Sequence, residues 1–381
     1  MINNIKTIGI VGGGQLGRMM IPYIKKLGLK VAVLDPSHDC PCAKLCDVLI
    51  NSSFTDEKGY AKLAEVSDVI TYEFEHIDTN LLKKLEKNGS VIYPSVESLH
   101  TIQDKFTQKT ALKNAGIAVP DFYKIDSLDA LKELYSRLGN KSLMLKSRKG
   151  GYDGKGNAVI KTASDIEPCF NLLVKTNGGL MAEPMLEFEC EVSVIAARGI
   201  GGEMEVFPIA ENLHKDSILD ITSVPSAISK KATARATECA KAVLECFKGV
   251  GTFCAELFIL KNGEVQVNEV APRVHNSGHY TIEACATSQF ENHIRTIVGL
   301  KPASTAMLYK EARMKNIIAT TSGEAVYNGL DKVINLPNIH VHIYGKTTMA
   351  KGRKMGHITI VGNDKKQVAQ SLRIVDKVFN R

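Results

Sequence analysis

The sequence predicts an α/β and α+β protein, with a doubly wound N-terminal domain, a mixed central region and a small strand-rich C-terminal domain. A βαβ unit opens the chain, because apolar strands at 7–11 and 30–34 flank a glycine-rich turn and a helical run. After Val119-Pro120 this pattern gives way to short strands and glycine clusters. The C-terminal stretch is strand-rich and ends in a helix around 364–379.

Hydrophobic periodicity and turn residues place the elements in order along the chain. In the N-terminal part we predict strands at 7–11, 30–34, 68–72 and 90–93, and helices after the glycine turn, near 79–88 and at 106–116. For the central region we predict helices near 127–138, 228–248 and 287–298, and strands at 143–147, 157–161, 180–182, 190–197, 204–209, 252–260 and 264–270.

Composition excludes several classes of protein. The chain has 381 residues, of which 44% are hydrophobic and 23% are charged, so it can form two or three domains with real cores. No stretch approaches the ~20 apolar residues that span a bilayer, and residues 1–20 show no secretory signal. We therefore expect a cytoplasmic protein that does not enter membranes.

Charge and cysteine content further restrict the ligands and metal sites that the chain can be expected to have. The net charge of +7 is spread along the chain, which does not favour nucleic-acid binding and fits small anionic substrates. The nine cysteines are expected to be reduced. No Cys or His pair follows Cys40, Cys42 and Cys46 at zinc spacing, so we predict no zinc site there.

The glycine-rich turn carries Gly12, Gly14 and Gly17, and the second strand ends at Asp35. An acidic residue 18 positions after the last glycine completes the layout with which a Rossmann-like domain binds a dinucleotide. An NAD-dependent dehydrogenase is therefore one interpretation, although it gives no role to the acidic and basic segments further along the chain.

A hairpin in the central region is predicted to bring two carboxylates together. Asn262-Gly263 favours a two-residue turn in which Lys261 pairs with Glu264. That register places Glu256 directly across from Glu269, with Cβ atoms about 5 Å apart, where like charges repel. A divalent cation would relieve the repulsion, and Mg²⁺ prefers such oxygen ligands. The alternatives are two solvated glutamates or a different register.

The strand that carries Glu269 continues into a polar loop, Pro272–His279. The loop places the cation of Arg273 and the imidazoles of His275 and His279 just beyond the carboxylates. Such a loop can hold a small anion beside a metal ion. The alternative is a polar loop that satisfies its own backbone.

Two further segments can bind phosphate. The loop 150–156 is rich in glycine and follows a strand that carries Lys146. Its backbone N–H groups can therefore approach phosphate oxygens. It is not a Walker A loop, because Gly156 stands where that motif has Ser or Thr. Near the C-terminus, 344–354 contains four cations, Lys346, Lys351, Arg353 and Lys354. A hairpin tip and a solvated turn are the alternatives for these segments.

Together these segments resemble the ATP-grasp superfamily, and within it the 5-(carboxyamino)imidazole ribonucleotide synthetases. The matching segments span nearly the whole chain in family order. They are GGGQLGRMM at 12–20, GGYDGKG at 150–156, ENLHKDSIL at 211–219, AELF at 255–258, NEVAPRVHNSGHYTIEAC at 268–285, SQFENHIR at 288–295, and YGK with GRKMGH within 344–357.

The resemblance implies three domains and a reaction. The domains are a Rossmann-like domain at 1–112 that does not use NAD, an ATP-grasp region at 113–300 with a lid at about 118–182, and a C-terminal domain at 301–381. The reaction is an ATP-dependent carbon–nitrogen ligation in de novo purine biosynthesis. It joins bicarbonate to aminoimidazole ribonucleotide through carboxyphosphate, with Mg²⁺, and gives 5-(carboxyamino)imidazole ribonucleotide, ADP and phosphate. A homodimer is expected by the same analogy.

The resemblance also implies roles for individual residues. ATP contacts would come from Lys105, Lys146, Gly151, Tyr152, Asp153, Gly154, Lys155, Gly156, Asn157, Glu183, Glu191, His214, Asn268 and Glu269. The metal ligands would be Glu256 and Glu269, and the catalytic residues Arg273, His275 and Lys155. The ribonucleotide would contact Gln15, Leu16, Tyr152, Asp153, Asn276, Ser277, Lys346 and Arg353.

Some positions depart from the family pattern. Lys105 stands where the family commonly has Arg, Ser217 where it has Gly, and Ser226 where it has Ala, and MLYKE at 307–311 differs as well. A formate-dependent glycinamide ribonucleotide transformylase shares the architecture and is the alternative within the superfamily. A nucleotide-binding regulator without catalysis is a third possibility.

Overall fold

The computed structural model describes residues 4–151, 156–175 and 178–379. Its N-terminal part is a four-stranded parallel sheet with strand order β3-β2-β1-β4. The strands are nearly continuous apolar runs because helices cover the sheet. The elements are β1 (Thr7–Val11), α1 (Gln15–Lys26), β2 (Lys30–Asp35), β3 (Val48–Asn51), α2 (Glu57–Val66), β4 (Val69–Tyr72), α3 (Thr79–Lys87), α4 (Val96–Ile102) and α5 (Lys105–Asn114).

The predicted N-terminal elements are mostly confirmed. The predicted strand at 90–93 is wrong, because that segment forms only a single bridge between Ile70 and Ile92. The sequence analysis missed β3, α2 and α4, which are short and lack a distinct apolar period. Leu16 and Met20 of α1 share an apolar cluster with Phe290 and Ile294, so the N-terminal sheet is packed against the central region.

The next unit is a small antiparallel sheet of order β5-β8-β6-β7 with its own core, which includes Leu131, Leu143 and Ile160. Helix α7 was not predicted from the sequence. The elements are β5 (Tyr123–Ile125), α6 (Leu128–Arg137), β6 (Leu143–Ser147), β7 (Asn157–Ile160), α7 (Ile166–Leu173) and β8 (Leu180–Pro184).

A nine-stranded sheet forms the rest of the molecule, with order β14-β13-β9-β11-β12-β15-β19-β17 and β10 paired to β9. Strands β16 and β18 pair separately. The elements are β9 (Phe188–Arg198), β10 (Met204–Val206), β11 (Ala210–Lys215), β12 (Ile218–Val224), α8 (Lys230–Phe247), β13 (Gly251–Leu260), β14 (Val265–Ala271), α9 (Thr281–Ala284), α10 (Gln289–Ile297), β15 (Glu311–Ile318), β16 (Gly323–Glu324), β17 (Ile339–Ile343), β18 (Thr348–Met349), β19 (Lys354–Gly362) and α11 (Lys365–Phe379).

The C-terminal strands continue the central sheet instead of forming a separate one. Strand β12 pairs antiparallel with β15, and β15 pairs with β19. The predicted boundary between 300 and 301 therefore separates strands that share one sheet. This continuity brings the segment between β17 and β19 close to the loop after β14. Within the described ranges, no helix is long and apolar enough to cross a membrane.

The carboxylate hairpin differs from the prediction at its tip. Leu260 pairs with Glu264 around a three-residue loop in which Gly263 has φ +75°, so the predicted pair of Lys261 and Glu264 is wrong. A bulge that contains Asn268 then shifts the register by one residue. The two deviations cancel, and Glu256 lies directly across from Glu269 as predicted.

Candidate active site

Glu256 and Glu269 face each other on adjacent antiparallel strands. Burial and the charge of Glu269 raise the pKa of Glu256 to about 7, as expected for a carboxyl group that is buried beside a second carboxylate. Lys105 forms an ion pair with Glu269. No cluster of three or more His, Cys, Asp or Glu residues suited to a metal occurs among the described residues. The two facing carboxylates supply oxygen ligands of the kind that Mg²⁺ binds together with phosphates and water.

The N-terminus of α5 holds Lys105 beside this pair. Asp104 caps the helix by accepting hydrogen bonds from the backbone N–H groups of Phe106 and Thr107. Arg148 donates two hydrogen bonds, of 3.0 and 2.7 Å, to the carboxylate of Asp104. The start of the helix is thereby fixed to the strand that carries Lys146.

A buried carboxylate, that of Glu183, pairs with two lysines of the site. Glu183 lies 3.0 Å from Lys109 Nζ and 2.8 Å from Lys146 Nζ. Burial alone would raise the pKa of Glu183, but the two ammonium groups outweigh it and lower that pKa. Burial lowers the pKa of Lys109 to about 8. Lys146 Nζ also lies 3.4 Å from Oδ1 of Asn268, the bulge residue.

His214 on β11 pairs with Glu191 on β9. The Nδ1 atom of His214 lies 3.0 Å from Oε2 of Glu191. Burial alone would lower the pKa of His214, but the hydrogen bond to Glu191 outweighs it and raises that pKa. Strand β9 pairs with β13 of the carboxylate hairpin, and β11 is the next strand of the sheet.

His275 is a neutral hydrogen-bond donor in this site. Burial, with the charge of Arg273, lowers its pKa to about 3. The backbone N–H of Ser277 donates to Nδ1 of His275, so the ring proton is on Nε2. That atom lies 3.4 Å from Oε1 of Glu256. The predicted loop residue is thus aimed at the carboxylate pair.

Arg273 joins this loop to the N-terminal domain. Its Nε and Nη2 atoms bind the carboxylate of Glu75, the latter at 2.9 Å. Burial alone would raise the pKa of Glu75, but Arg273 outweighs it and holds that pKa at about 2. Glu75 lies three residues beyond the end of β4, so the ion pair fixes the loop after β14 to the carboxyl end of a parallel strand.

Replacing Glu75 by Gln is expected to lower the free energy of unfolding by roughly 3 kcal/mol near neutral pH, because it leaves Arg273 without its buried partner. The stabilisation from a lowered carboxyl pKa is complete above the ordinary value of 4.5 and disappears as the pH falls toward 2. Urea unfolding of both proteins across that range should show the difference shrinking with acidity. Glu57→Gln, at a surface pair with Lys84, is the control; a constant difference for Glu75→Gln would contradict the prediction.

The glycine turn after β1 is occupied by a carboxylate of the chain itself. Glu73 accepts hydrogen bonds from the backbone N–H of Gly14 at 2.5 Å and of Gly17 at 2.8 Å. Asp35 accepts one from Gly13 at 2.7 Å. These are the amides that would bind a pyrophosphate in a dinucleotide enzyme. The arrangement argues against the dehydrogenase interpretation.

Gly14→Ala is expected to displace this carboxylate, because the new Cβ would lie 2.2 Å from Oε1 of Glu73. We expect an unfolding free energy lower by about 1–3 kcal/mol and a higher KM for the ribonucleotide. Thermal unfolding and steady-state kinetics measure both effects. In a Glu73→Ala background the clash is absent, so Gly14→Ala should lower the unfolding free energy by less than it does in the unmodified protein. If the two substitutions instead lower the unfolding free energy additively, the explanation is wrong.

A cleft of about 400 Å³ opens beside the glycine turn. It is lined by Gln15, Lys346 and Arg353, and by Asp35 and Glu73, so three of the predicted ribonucleotide contacts come together. Leu16 is instead buried in the core, and Asn276 and Ser277 are buried as well. Their contacts with a substrate remain predictions.

The glycine-rich loop is described only at its ends. Gly151 lies after β6, the carbonyl oxygen of Gly156 accepts a hydrogen bond from the backbone N–H of Ser147, and Asn157 begins β7. The predictions for Tyr152, Asp153, Gly154 and Lys155 lie outside the described residues.

Sequence reasoning missed Glu73, Glu75 and Lys109. A signal existed for the two glutamates, since they directly follow β4, and polar residues at the carboxyl end of a parallel strand commonly line sites. Nothing in the local sequence distinguishes Lys109 from other lysines on an amphipathic helix.

Comparison with known proteins decides the family. The chain matches the ribonucleotide synthetase preATP-grasp domain over residues 5–103, the ATP-grasp domain over 110–290 and the phosphoribosylaminoimidazole carboxylase C-terminal domain over 312–371. It is 40% identical to the N5-carboxyaminoimidazole ribonucleotide synthase of Bacillus subtilis (strain 168), over 98% of this chain and 96% of that protein. The chain belongs to the N5-carboxyaminoimidazole ribonucleotide synthetase family.

Solved structures of N5-carboxyaminoimidazole ribonucleotide synthetases agree with this assignment. The enzyme from Staphylococcus aureus complexed with ADP is 39% identical, with a TM-score of 0.88 over 97% of this chain and 96% of that chain. The enzyme from Aspergillus clavatus, in complex with ADP and 5-aminoimidazole ribonucleotide, is 31% identical, with a TM-score of 0.90 over 99% of both chains. The chain is an ATP-grasp ligase that carboxylates aminoimidazole ribonucleotide at the expense of ATP in purine biosynthesis. The predicted family, the predicted fold and the ATP-dependent carboxylation of aminoimidazole ribonucleotide are confirmed.

Proposed function

We propose that bicarbonate is the carbon donor and that ATP phosphorylates it beside the Glu256–Glu269 pair. The most direct support is that these two carboxylates lie directly across from each other. Lys105 pairs with Glu269, and the hydrogen-bond donor His275 lies beside Glu256. Cations and a neutral donor around an acidic pair suit a reaction in which negative charge moves between phosphate and carbonate.

Glu256 and Glu269 would hold Mg²⁺. When bound there, the ion would neutralise charge on the phosphate oxygens during phosphoryl transfer. Lys146 and Lys105 would bind the same phosphates as point charges. The remaining proposed ATP contacts are Gly151, Tyr152, Asp153, Gly154, Lys155, Gly156, Asn157, Glu183, Glu191, His214 and Asn268.

The chemistry then has two steps. An oxygen of bicarbonate attacks the γ-phosphorus, ADP leaves, and carboxyphosphate forms. The amine nitrogen of the ribonucleotide attacks the carboxyl carbon, phosphate leaves and the nitrogen loses a proton. His275 would donate a hydrogen bond from Nε2 to the carbonate oxygens, and Arg273 and Lys155 would balance their charge. Exclusion of water by the lid at about 118–182 would protect carboxyphosphate from hydrolysis.

The ribonucleotide would bind in the cleft beside the glycine turn. Lys346 and Arg353 supply cations there, which suits a 5′-phosphate. Arg353 is oriented by hydrogen bonds from Nη1 to the carbonyl and hydroxyl oxygens of Thr348, at 3.0 and 3.3 Å. The other proposed contacts are Gln15, Leu16, Tyr152, Asp153, Asn276 and Ser277.

Phosphate release and product formation test the proposal in one assay. Turnover should require ATP, Mg²⁺, aminoimidazole ribonucleotide and bicarbonate together. Turnover with formate and glycinamide ribonucleotide, and none with bicarbonate, would favour the transformylase alternative and overturn the proposal. A cytoplasmic homodimer also remains a proposal by family analogy, which sedimentation and cell fractionation can test.

A further inference from the structure

A stack of three imidazoles lies where the loop after β14 meets the C-terminal strands. The ring of His357 stacks on that of His342 and is tilted by 32° against that of His279, with centroid distances of 4.5 Å in both cases. His279 and His357 are fully buried, and burial lowers the pKa of both well below the usual 6.5. These two rings are therefore neutral and pack without charge repulsion.

One side of the stack belongs to the loop Pro272–His279, called the catalytic loop here because it carries the proposed catalytic residues Arg273 and His275. His279 follows the 3-10 turn Asn276–Gly278, whose Ser277 hydroxyl lies 2.8 Å from Nδ1 of His275. Glu283 lies in α9, directly after the same loop, and its Oε1 is 2.7 Å from Nε2 of His342. The loop is thus joined to the strands at two points.

The other side belongs to the strands that flank the basic segment, defined as residues 345–354. His342 on β17 and His357 on β19 are paired in register. Tyr344 is fully buried, and its hydroxyl lies 2.9 Å from Nδ1 of His357. The basic segment leaves β17 beside Tyr344 and enters β19 just before His357. The stack therefore fixes both ends of the segment against the catalytic loop.

Stability does not explain why these rings are imidazoles. Within the part of the chain that the structure describes, Nδ1 and Nε2 of His279 and Nε2 of His357 have no hydrogen-bond partner. Buried polar atoms without partners cost free energy that an apolar ring would not. Such atoms in a native core call for a functional explanation.

We infer that His279, His357 and Tyr344 position the basic segment so that the ribonucleotide amine meets the carboxyl donor beside the catalytic loop. They are positioning residues and contact neither substrate. The inference rests on the proposed function, in which Lys346 and Arg353 of this segment bind the ribonucleotide. Carboxyphosphate that meets water before the amine returns bicarbonate and phosphate. A misplaced amine therefore appears as phosphate released without product.

The test uses His357→Phe, which keeps a ring but removes the bond to Tyr344, and Tyr344→Phe, which removes only the hydroxyl. In both variants we expect the KM for aminoimidazole ribonucleotide to rise, by about tenfold for His357→Phe. The ratio of phosphate to product should exceed that of the unmodified protein, while the KM for ATP and the thermal midpoint change little. His340→Ala, on the exposed side of β17, is the matched control and should change nothing.

If both variants keep the KM for the ribonucleotide and the ratio of phosphate to product, the inference is wrong. A loss of activity at an unchanged ratio would also overturn it, because that result indicates a purely structural role. Lys346→Met separates this failure from failure of the proposed function. If it raises the KM for the ribonucleotide and the other two variants do not, only the inference fails. If it leaves that KM unchanged, the proposed ribonucleotide site at the basic segment fails, and the inference that rests on it fails too.

Discussion

Glu269→Gln is expected to lower kcat by roughly 10²- to 10³-fold or more, with the fold intact. Gln has one neutral oxygen in place of a charged carboxylate, so the pair with Glu256 can no longer hold a divalent cation. The substitution also removes the charge that Lys105 pairs with. Phosphate release at saturating ATP, ribonucleotide and bicarbonate measures the effect.

Stability should respond in the opposite sense to activity. Like charges directly across a strand pair are destabilising, and Lys105 keeps the neighbouring charge of Glu256 when that of Glu269 is removed. Neutralising Glu269 should therefore leave the thermal midpoint unchanged or raised. Glu264→Gln, at the exposed tip of the same hairpin, is the matched control and should keep full activity. Retained turnover in Glu269→Gln, with the midpoint unchanged, would remove Glu269 from the metal site.

Lys146→Met is expected to lower kcat/KM for ATP by roughly 10²-fold, because it removes a cation from the phosphate site. The fold should hold, since Lys109 remains 3.0 Å from Glu183 and keeps that buried carboxylate paired. Kinetics at varied ATP, with calorimetry of ADP binding, separate a loss of affinity from a loss of turnover.

Lys124→Met is the control for this substitution. Lys124 lies on β5 of the same small sheet and pairs with Asp126 at the surface. Its loss should leave both affinity and turnover unchanged. If Lys146→Met and Lys124→Met behave alike, Lys146 does not act on the nucleotide phosphates.

The carboxylate hairpin shows how far local sequence reasoning reaches. Asn262-Gly263 correctly indicated a turn, but the loop contains three residues and Asn268 forms a bulge. Turn residues favour a bend by their backbone preferences, whereas a bulge depends on what the strand packs against. In this case the side chain of Asn268 meets Lys146 on another strand, which no local pattern shows.

Most of the contacts that were not predicted from the sequence join residues that are far apart along the chain. Glu75 and Arg273 are 198 residues apart, and Gln108 bonds Val270 across 162 residues. Such contacts depend on how whole domains pack. Short helices such as α2 and α4 were missed because their apolar faces are too short to show a period.

By itself, the sequence determined the family, the three-part architecture, the acidic pair and the residues that surround it, because specific motifs in a fixed order encode them. Only the tertiary structure decided what the glycine turn binds. Its amides receive Glu73 from beyond β4, since parallel packing of β1 and β4 brings that carboxylate to the turn. The C-terminal cations line the cleft beside this turn for a similar reason. Pairing of β12 with β15 joins the C-terminal strands to the central sheet, and α1 of the N-terminal part packs against α10 of the central region.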